Sequence, residues 1–176
     1  ASDVYKRQVS QKELILLIAE KLDYYEAKNI VLDPVMVATS GAKLLNDNAI
    51  ETLKEVLIKK ARLITPNIPE AEILSGEKIE NEDDMIRACK DIYDKYQVSV
   101  LLKGGHMIND ANDYLYNENG GVWIRGQRID NPNTHGTGCT LSSAIAANLA
   151  KGDDLEKAIR RAKTYLEGCL KDKLDL

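Results

Sequence analysis

Asn133-Thr134-His135-Gly136-Thr137-Gly138-Cys139-Thr140-Leu141-Ser142-Ser143-Ala144-Ile145-Ala146-Ala147-Asn148-Leu149 is a glycine-rich loop that opens a helix. Two glycines flank a threonine and a cysteine comes next. The run beyond is small and apolar without Gly or Pro, which suits a helix packed closely into a core. A helix start carries backbone N–H groups without intrahelical partners, and a partial positive charge. Glycine lets the chain bend there and lets an anion approach those donors. Gly136, Thr137 and Gly138 are therefore a candidate phosphate or oxyanion cradle, with Cys139 placed where a thiolate is favoured. The alternative on spacing alone is a tight turn into a buried helix, with Cys139 a small core residue.

Upstream of this loop, three short apolar runs alternate with helical patterns. Asn29-Ile30-Val31-Leu32-Asp33 ends at Pro34, which holds Asp33 extended. Arg62-Leu63-Ile64-Thr65 is stopped by Pro66, and Val98-Ser99-Val100-Leu101-Leu102 runs into Lys103-Gly104-Gly105-His106. All three read as buried strands. Between them fall helices. Ser10-Gln11-Lys12-Glu13 is a capping box that opens one through about Glu26, with Leu14, Leu17, Ile18 and Leu22 on its inner face. A second spans about Asn46 to Lys59, with Ile50, Leu53, Val56 and Leu57 inward. A short one covers Asn67 to Leu74 and closes at Gly76. Asn81 to Tyr96 is a full helix with acids in its first turn.

Downstream the pattern changes. Asp113-Tyr114-Leu115-Tyr116-Asn117, Gly120-Gly121 and Val122-Trp123-Ile124-Arg125 form a β-hairpin, which Gln127-Arg128-Ile129-Asp130 would extend by a further strand. The chain closes with a cap at Asp153-Asp154-Leu155-Glu156 and a helix to about Leu170, with Leu155, Ala158, Ile159, Ala162, Leu166 and Cys169 inward. Strand–helix alternation predicts an α/β fold of three layers, α/β/α, with a mostly parallel central sheet and a mixed edge from the late hairpin. There is no internal repeat and no low-complexity linker, so residues 1–176 read as one domain. Ala1 to Gln8 carry no period and read as a non-native or disordered segment.

Bulk properties narrow the function. The chain has 176 residues, 44% hydrophobic and 30% charged, within the ordinary range for a soluble globular protein. Its net charge of −4 argues against nucleic acid or an anionic membrane as partner. No apolar run approaches the roughly 18 residues of a membrane span, and no signal-peptide layout is present. Cys89, Cys139 and Cys169 are far apart with no Cys-x-x-Cys pair, and His106 and His135 are the two histidines. These counts point to a reducing, cytoplasmic setting and away from a disulfide framework or zinc.

In open α/β sheets, ligands bind beyond the carboxyl ends of the strands. Asp33, the Thr65-to-Glu70 segment, Lys103-Gly104-Gly105 and the loop before Cys139 fall at that edge. The alternative is that each is merely a turn.

Four ordered motifs carry a family resemblance: Asp33-Pro34-Val35-Met36-Val37-Ala38-Thr39-Ser40-Gly41, Thr65-Pro66-Asn67-Ile68-Pro69-Glu70-Ala71, Leu102-Lys103-Gly104-Gly105-His106 and Thr134-His135-Gly136-Thr137-Gly138-Cys139-Thr140-Leu141-Ser142-Ser143-Ala144-Ile145. Together they resemble the hydroxymethylpyrimidine/phosphomethylpyrimidine kinases of thiamine biosynthesis, in the ribokinase-like superfamily, from about Ser10 onward. The resemblance implies ATP-dependent phosphorylation of 4-amino-5-hydroxymethyl-2-methylpyrimidine and then of its monophosphate, with ATP and Mg²⁺ as cofactors and a homodimer as the working form. It implies an anion hole at Gly136, Thr137 and Gly138, and Cys139 as catalytic base where sugar kinases carry Asp. It places Asp33, Asn67 and Glu70 at magnesium and phosphate, acting through water. Val35 would line the pyrimidine pocket, Lys103, Gly104 and Gly105 would lie near the nucleotide, and Lys163 would approach its adenine end. Read without the resemblance, Asn67 and Glu70 are a helix cap and a dipole partner, Asp33 a polar strand end, and Lys163 a solvated helix residue.

What the family carries ahead of Ser10, including much of the pyrimidine pocket, has no counterpart in Ala1 to Gln8. The expectation is a ribokinase-like domain lacking its front portion, with part of the sheet and some apolar surface uncovered. Pyridoxal kinase, of the same fold, is the near alternative; a non-catalytic nucleotide-binding remnant is another. A nucleophilic-cysteine enzyme built on Cys139 and His135 would lack a later His to orient the thiol.

Overall fold

Along the central strands, successive side chains point to opposite faces and both faces are buried, which requires cover on each side. Ile64, Val100, Leu102 and Tyr114 join one apolar cluster, while Leu63, Leu101, Leu115 and Ile124 join another. The computed structural model describes residues 12–37, 44–104, 112–126 and 136–171. Its order is α1 (Lys12–Tyr24), β1 (Val31–Leu32), α2 (Asp47–Thr52, continued by a π turn over Leu53–Leu57 and a 3₁₀ turn over Ile58–Lys60), β2 (Leu63–Ile64), α3 (Ile68–Ser75), α4 (Glu82–Tyr96), β3 (Ser99–Lys103), β4 (Asp113–Asn117), β5 (Gly120–Ile124), α5 (Thr137–Ala150) and α6 (Leu155–Lys171). The strands form one sheet in the order β1-β2-β3-β4-β5. β1, β2 and β3 are parallel, and β4 and β5 add antiparallel. Helices α1 to α4 supply the first cluster and α5 with α6 the second, so the expected three layers are present.

Local chemistry sets the helix ends. Asn46, Asn67, Asn81 and Asp154 each accept a backbone N–H three residues on, at 2.8–3.0 Å. Gly76 closes α3 in the left-handed region, at φ +86°. In the hairpin, Gly121 lies against the ring of Tyr114, where a Cβ would fall 1.7 Å from the phenol oxygen. No side chain larger than hydrogen fits there.

Three expectations about helix faces need correction. In α1 the buried positions are Ile15 and Ala19, with Ile18 and Leu22 half-buried, whereas Leu14 and Leu17 are 42% and 48% exposed. The stripe is rotated by one residue because the helix presses on α2 through its other apolar row. The second helix is not α throughout: Ile58 N–H reaches Leu53 O, the wider i to i+5 spacing. That extra residue turns Ile58 fully inward beside Leu57 and leaves Val56 half-buried. In α6, Cys169 is exposed, because the inner face ends at Leu166. The capping box at Ser10 and the extra strand at 127–130 lie outside the described residues. No described helix is long and apolar enough to cross a membrane.

Lys163 is the largest surprise in α6. It is buried at 8% exposure; its Nζ donates to Asp113 Oδ2 at 2.6 Å and to Ile124 O at 3.0 Å. Asp113 Oδ1 in turn accepts the Gly104 amide at 3.1 Å. The solvated reading of Lys163 is therefore wrong. Burial pushes the Asp113 carboxyl up, and the neighbouring ammonium of Lys163 works against it. Removing one partner of such a pair strands a buried charge, at roughly 3–5 kcal/mol. Lys163→Met should therefore lower stability by about that much in urea unfolding, and adding Asp113→Leu should restore most of it.

Candidate active site

The carboxyl ends of β1, β2 and β3 bring together side chains from separate stretches of sequence. Asp33 lies just past β1, Thr65 just past β2, and Lys103 ends β3. Lys103 Nζ donates to Asp33 Oδ1 at 2.9 Å, with both side chains less than one-fifth exposed. Thr65 is fully buried, and its Oγ1 donates to the same Asp33 oxygen at 3.2 Å. The register runs on past the strands: Lys103 N–H donates to Pro66 O at 2.9 Å, and Asn67 pairs with Lys103 in a parallel bridge.

Helix α5 begins over this cluster. Gly136 is its N-cap at φ +82°, the left-handed region that favours glycine. A Cβ on Gly138 would stand 3.2 Å from Lys103 Nζ and 3.3 Å from Asp33 Oδ2. The first turn thus lies directly against the ion pair. Among the described residues no acceptor stands against the Gly138 and Cys139 amides, as expected for the second and third positions of a helix. Cys139, in the same turn, is exposed. With Thr140, Ser143, Ala147, Arg161 and Tyr165, it lines a groove of ≈ 700 Å³ between α5 and α6.

Asn67 and Glu70 form a complete capping box. Glu70 N–H donates to Asn67 Oδ1 at 2.9 Å, and Asn67 N–H donates to Glu70 Oε2 at 2.9 Å. The cap reading is correct, and it fixes the Glu70 carboxyl deep at the site, 1% exposed. Burial pushes the Glu70 carboxyl up to about 7, against the Asn67 and Met36 amides and the Lys103 charge, which favour the ionised form. Among the described residues no three His, Cys, Asp or Glu side chains converge closely enough to hold a metal directly. The donor set is oxygen-rich but already engaged, which fits a hard cation held through retained waters rather than by a protein cage.

Val35 is half-buried two residues past Asp33, and its N–H donates to Asp33 O at 2.9 Å. Gly104 packs so tightly that a Cβ would meet Asn112 O at 2.1 Å. Gly105 lies outside the described residues, as do His106, His135 and Thr39-Ser40-Gly41. Among the described residues Lys163 joins the site at second hand, through Asp113 to the Gly104 amide. Sequence reasoning missed Thr65 and Ser142 as site residues. Ser142 lies four positions beyond Gly138, the spacing at which a helical serine bonds back to a carbonyl, and that was the available signal.

A family model described as phosphomethylpyrimidine kinase matches residues 8–176. The chain belongs to the phosphomethylpyrimidine kinase family. The hydroxymethylpyrimidine/phosphomethylpyrimidine kinase of Bacillus subtilis is 37% identical over 166 residues, covering 93% of this chain and 61% of that protein. The crystal structure of phosphomethylpyrimidine kinase from Clostridium difficile superposes with a TM-score of 0.80 at 40% identity, covering 93% of this chain and 66% of that one. A pyridoxal kinase from Staphylococcus aureus, in complex with ADP, gives a TM-score of 0.85 at 30% identity, over 93% of this chain and 60% of that one. The chain therefore spans between three-fifths and two-thirds of the length of these three relatives.

Glu70 gives a pH signature. Between about pH 4.5 and 7 the folded chain keeps a proton there that the unfolded chain has lost, so stability falls as pH rises and levels off above 7. The Glu70 contribution should be about 3 kcal/mol across that window. Urea unfolding of wild type and Glu70→Gln at a series of pH values should show a flatter profile for the variant.

Proposed function

We propose that this chain carries the phosphoryl-transfer machinery of an ATP-dependent kinase acting on 4-amino-5-hydroxymethyl-2-methylpyrimidine, and on its monophosphate to give the diphosphate. The observation that carries this reading is the first turn of α5 laid against the Lys103–Asp33 pair, with Gly138 leaving little more than the room of a Cβ beside both charges. Phosphoryl transfer needs positioned donors and charge rather than covalent chemistry. The amides at Gly136, Thr137 and Gly138 receive the moving phosphoryl group. Lys103 faces its oxygens, and Gly104 keeps the backbone beside the nucleotide free of a side chain. Lys163 serves the nucleotide through Asp113, which holds the Gly104 amide. Val35 borders the pyrimidine. Asp33, Asn67 and Glu70 would hold Mg²⁺ through water, where it would offset phosphate charge.

In the first step the Cys139 thiolate takes the proton of the substrate hydroxymethyl group. That oxygen bonds to the γ-phosphorus as the bond to the β–γ bridging oxygen breaks, and ADP leaves. In the second step the nucleophile is already an anionic phosphate, so the base matters less. Pyridoxal is the second reading, supported by the close superposition on a pyridoxal kinase at 30% identity.

Turnover with each of the two alcohols, beside titration of Mg-AMP-PCP, separates substrate preference from nucleotide binding. The pyrimidine should be the faster alcohol; a preference for pyridoxal would reverse the assignment. Gly138→Val should abolish both phosphorylations, and near-normal turnover would remove the anion hole. Cys139→Ala should slow the first step by about 100-fold or more and the second far less, whereas equal losses would refute the base.

A further inference from the structure

Behind the Lys103–Asp33 pair runs a chain of buried hydroxyls. Thr65 Oγ1 lies 3.2 Å from Asp33 Oδ1 and 3.1 Å from Ser142 Oγ, and Ser142 Oγ lies 2.9 Å from Gly138 O. Thr65 is fully buried and Ser142 is 8% exposed. We propose that Thr65 and Ser142 are positioning residues, a two-hydroxyl relay that couples the Asp33 carboxylate to the carbonyl of Gly138 in the first turn of α5.

Proton counting makes this a relay. Each hydroxyl has one proton to give, and the two ends, a carboxylate and a carbonyl, can only accept. Three contacts therefore share two protons. In one arrangement Ser142 donates to Thr65 and Thr65 donates to Asp33. In the other, Thr65 donates to Ser142 and Ser142 donates to Gly138 O. The third, with both protons pointing outward, leaves two oxygen lone pairs facing each other at 3.1 Å. Rotating one hydroxyl thus favours rotation of the other, and no proton leaves its oxygen. Gly138 also closes the circuit in space, since its Cα faces Asp33 Oδ2 and Lys103 Nζ. Positive charge drawn to Asp33 weakens that end as an acceptor. The relay then turns towards Gly138 O and braces the turn that carries the Gly138 and Cys139 amides.

What the relay serves rests on the kinase reading; that it exists does not. Its test is a double-mutant cycle on the unfolding equilibrium, pairing Asp33→Asn with Ser142→Ala, residues that share no direct hydrogen bond. The Asn oxygen takes the place of Asp33 Oδ1, which also accepts from Lys103, and as a weaker acceptor than a carboxylate it shifts the relay towards its second arrangement. The two substitutions should be non-additive by about threefold or more in the unfolding constant, and the coupling should vanish in a Thr65→Val background but survive in Thr65→Ser. Additivity with Thr65 present, or coupling that persists in Thr65→Val, would overturn the proposal. If one variant does not fold, the hydroxyl-proton exchange of Thr65 by NMR replaces it: Ser142→Ala should speed that exchange by about tenfold, and an unchanged rate would count against the relay. Titration of AMP-PCP with and without Mg²⁺ judges the kinase reading separately. If wild type binds no AMP-PCP, that reading fails while the cycle still decides the relay. If it binds, Thr65→Val should cut the Mg²⁺ enhancement of binding by about tenfold and Thr65→Ser should retain it; an undiminished enhancement in Thr65→Val would overturn the positioning role given to the relay.

Discussion

The contact on which the site depends is the ion pair between Lys103 at the end of β3 and Asp33 past the end of β1. These residues are 70 positions apart, and β2 lies between their strands. Two half-buried charges at 2.9 Å hold to one spot loops that would otherwise scatter. The pair also constrains the start of α5. A Cβ at position 138 would stand 3.2–3.3 Å from both charges, so the second residue of α5 is favoured as one that offers only backbone.

The parallel arrangement makes this possible. In β1, β2 and β3 all carboxyl ends fall on one edge, so Asp33, Thr65 and Lys103 emerge side by side. The switch to an antiparallel hairpin then puts Asp113 at the start of β4 directly across from Lys103. There it reaches the Gly104 amide and the ammonium of Lys163. A second buried pair thus stands one strand away from the first, tying α6 to the same edge. Asp33 and Asp113 each have a lysine within hydrogen-bonding distance, which is how such charges persist so close to a packed core.

Much of this was legible in the sequence, for identifiable reasons. The strands are legible because β-branched and leucine runs end at Pro34, Pro66 and Gly104, and the caps at Asn67 and Asp154 because each stands three residues before an amide it can bind. The glycine-rich loop was found because it is chemically odd. What escaped notice depends on tertiary contact. The inward face of α1 turns on which of two apolar rows meets α2, and sequence offers both. The π turn after Thr52 is a packing adjustment with no residue that announces it. Lys163 looks like any helix lysine until Asp113, 50 positions earlier, is placed beside it. Thr65 and Ser142 look like fillers until the strand end and the helix are brought to 3.1 Å.

The sheet separates two apolar clusters, and among the described residues the helices that cover the smaller are α5 and α6. These helices meet each other closely, with Asn148 Nδ2 bonded to Ala158 O at 3.1 Å across their junction. Any lifting from the sheet would therefore move them as one plate, and would have to break the Lys163–Asp113 and Thr65–Ser142 contacts that hold them there. Since the amides at Gly138 and Cys139 ride on that plate, a single breathing motion would govern both how firmly the layer is seated and how often the proposed anion cradle is assembled. Solvent exchange of backbone hydrogens in α5 is thus a direct clock for the readiness of the site.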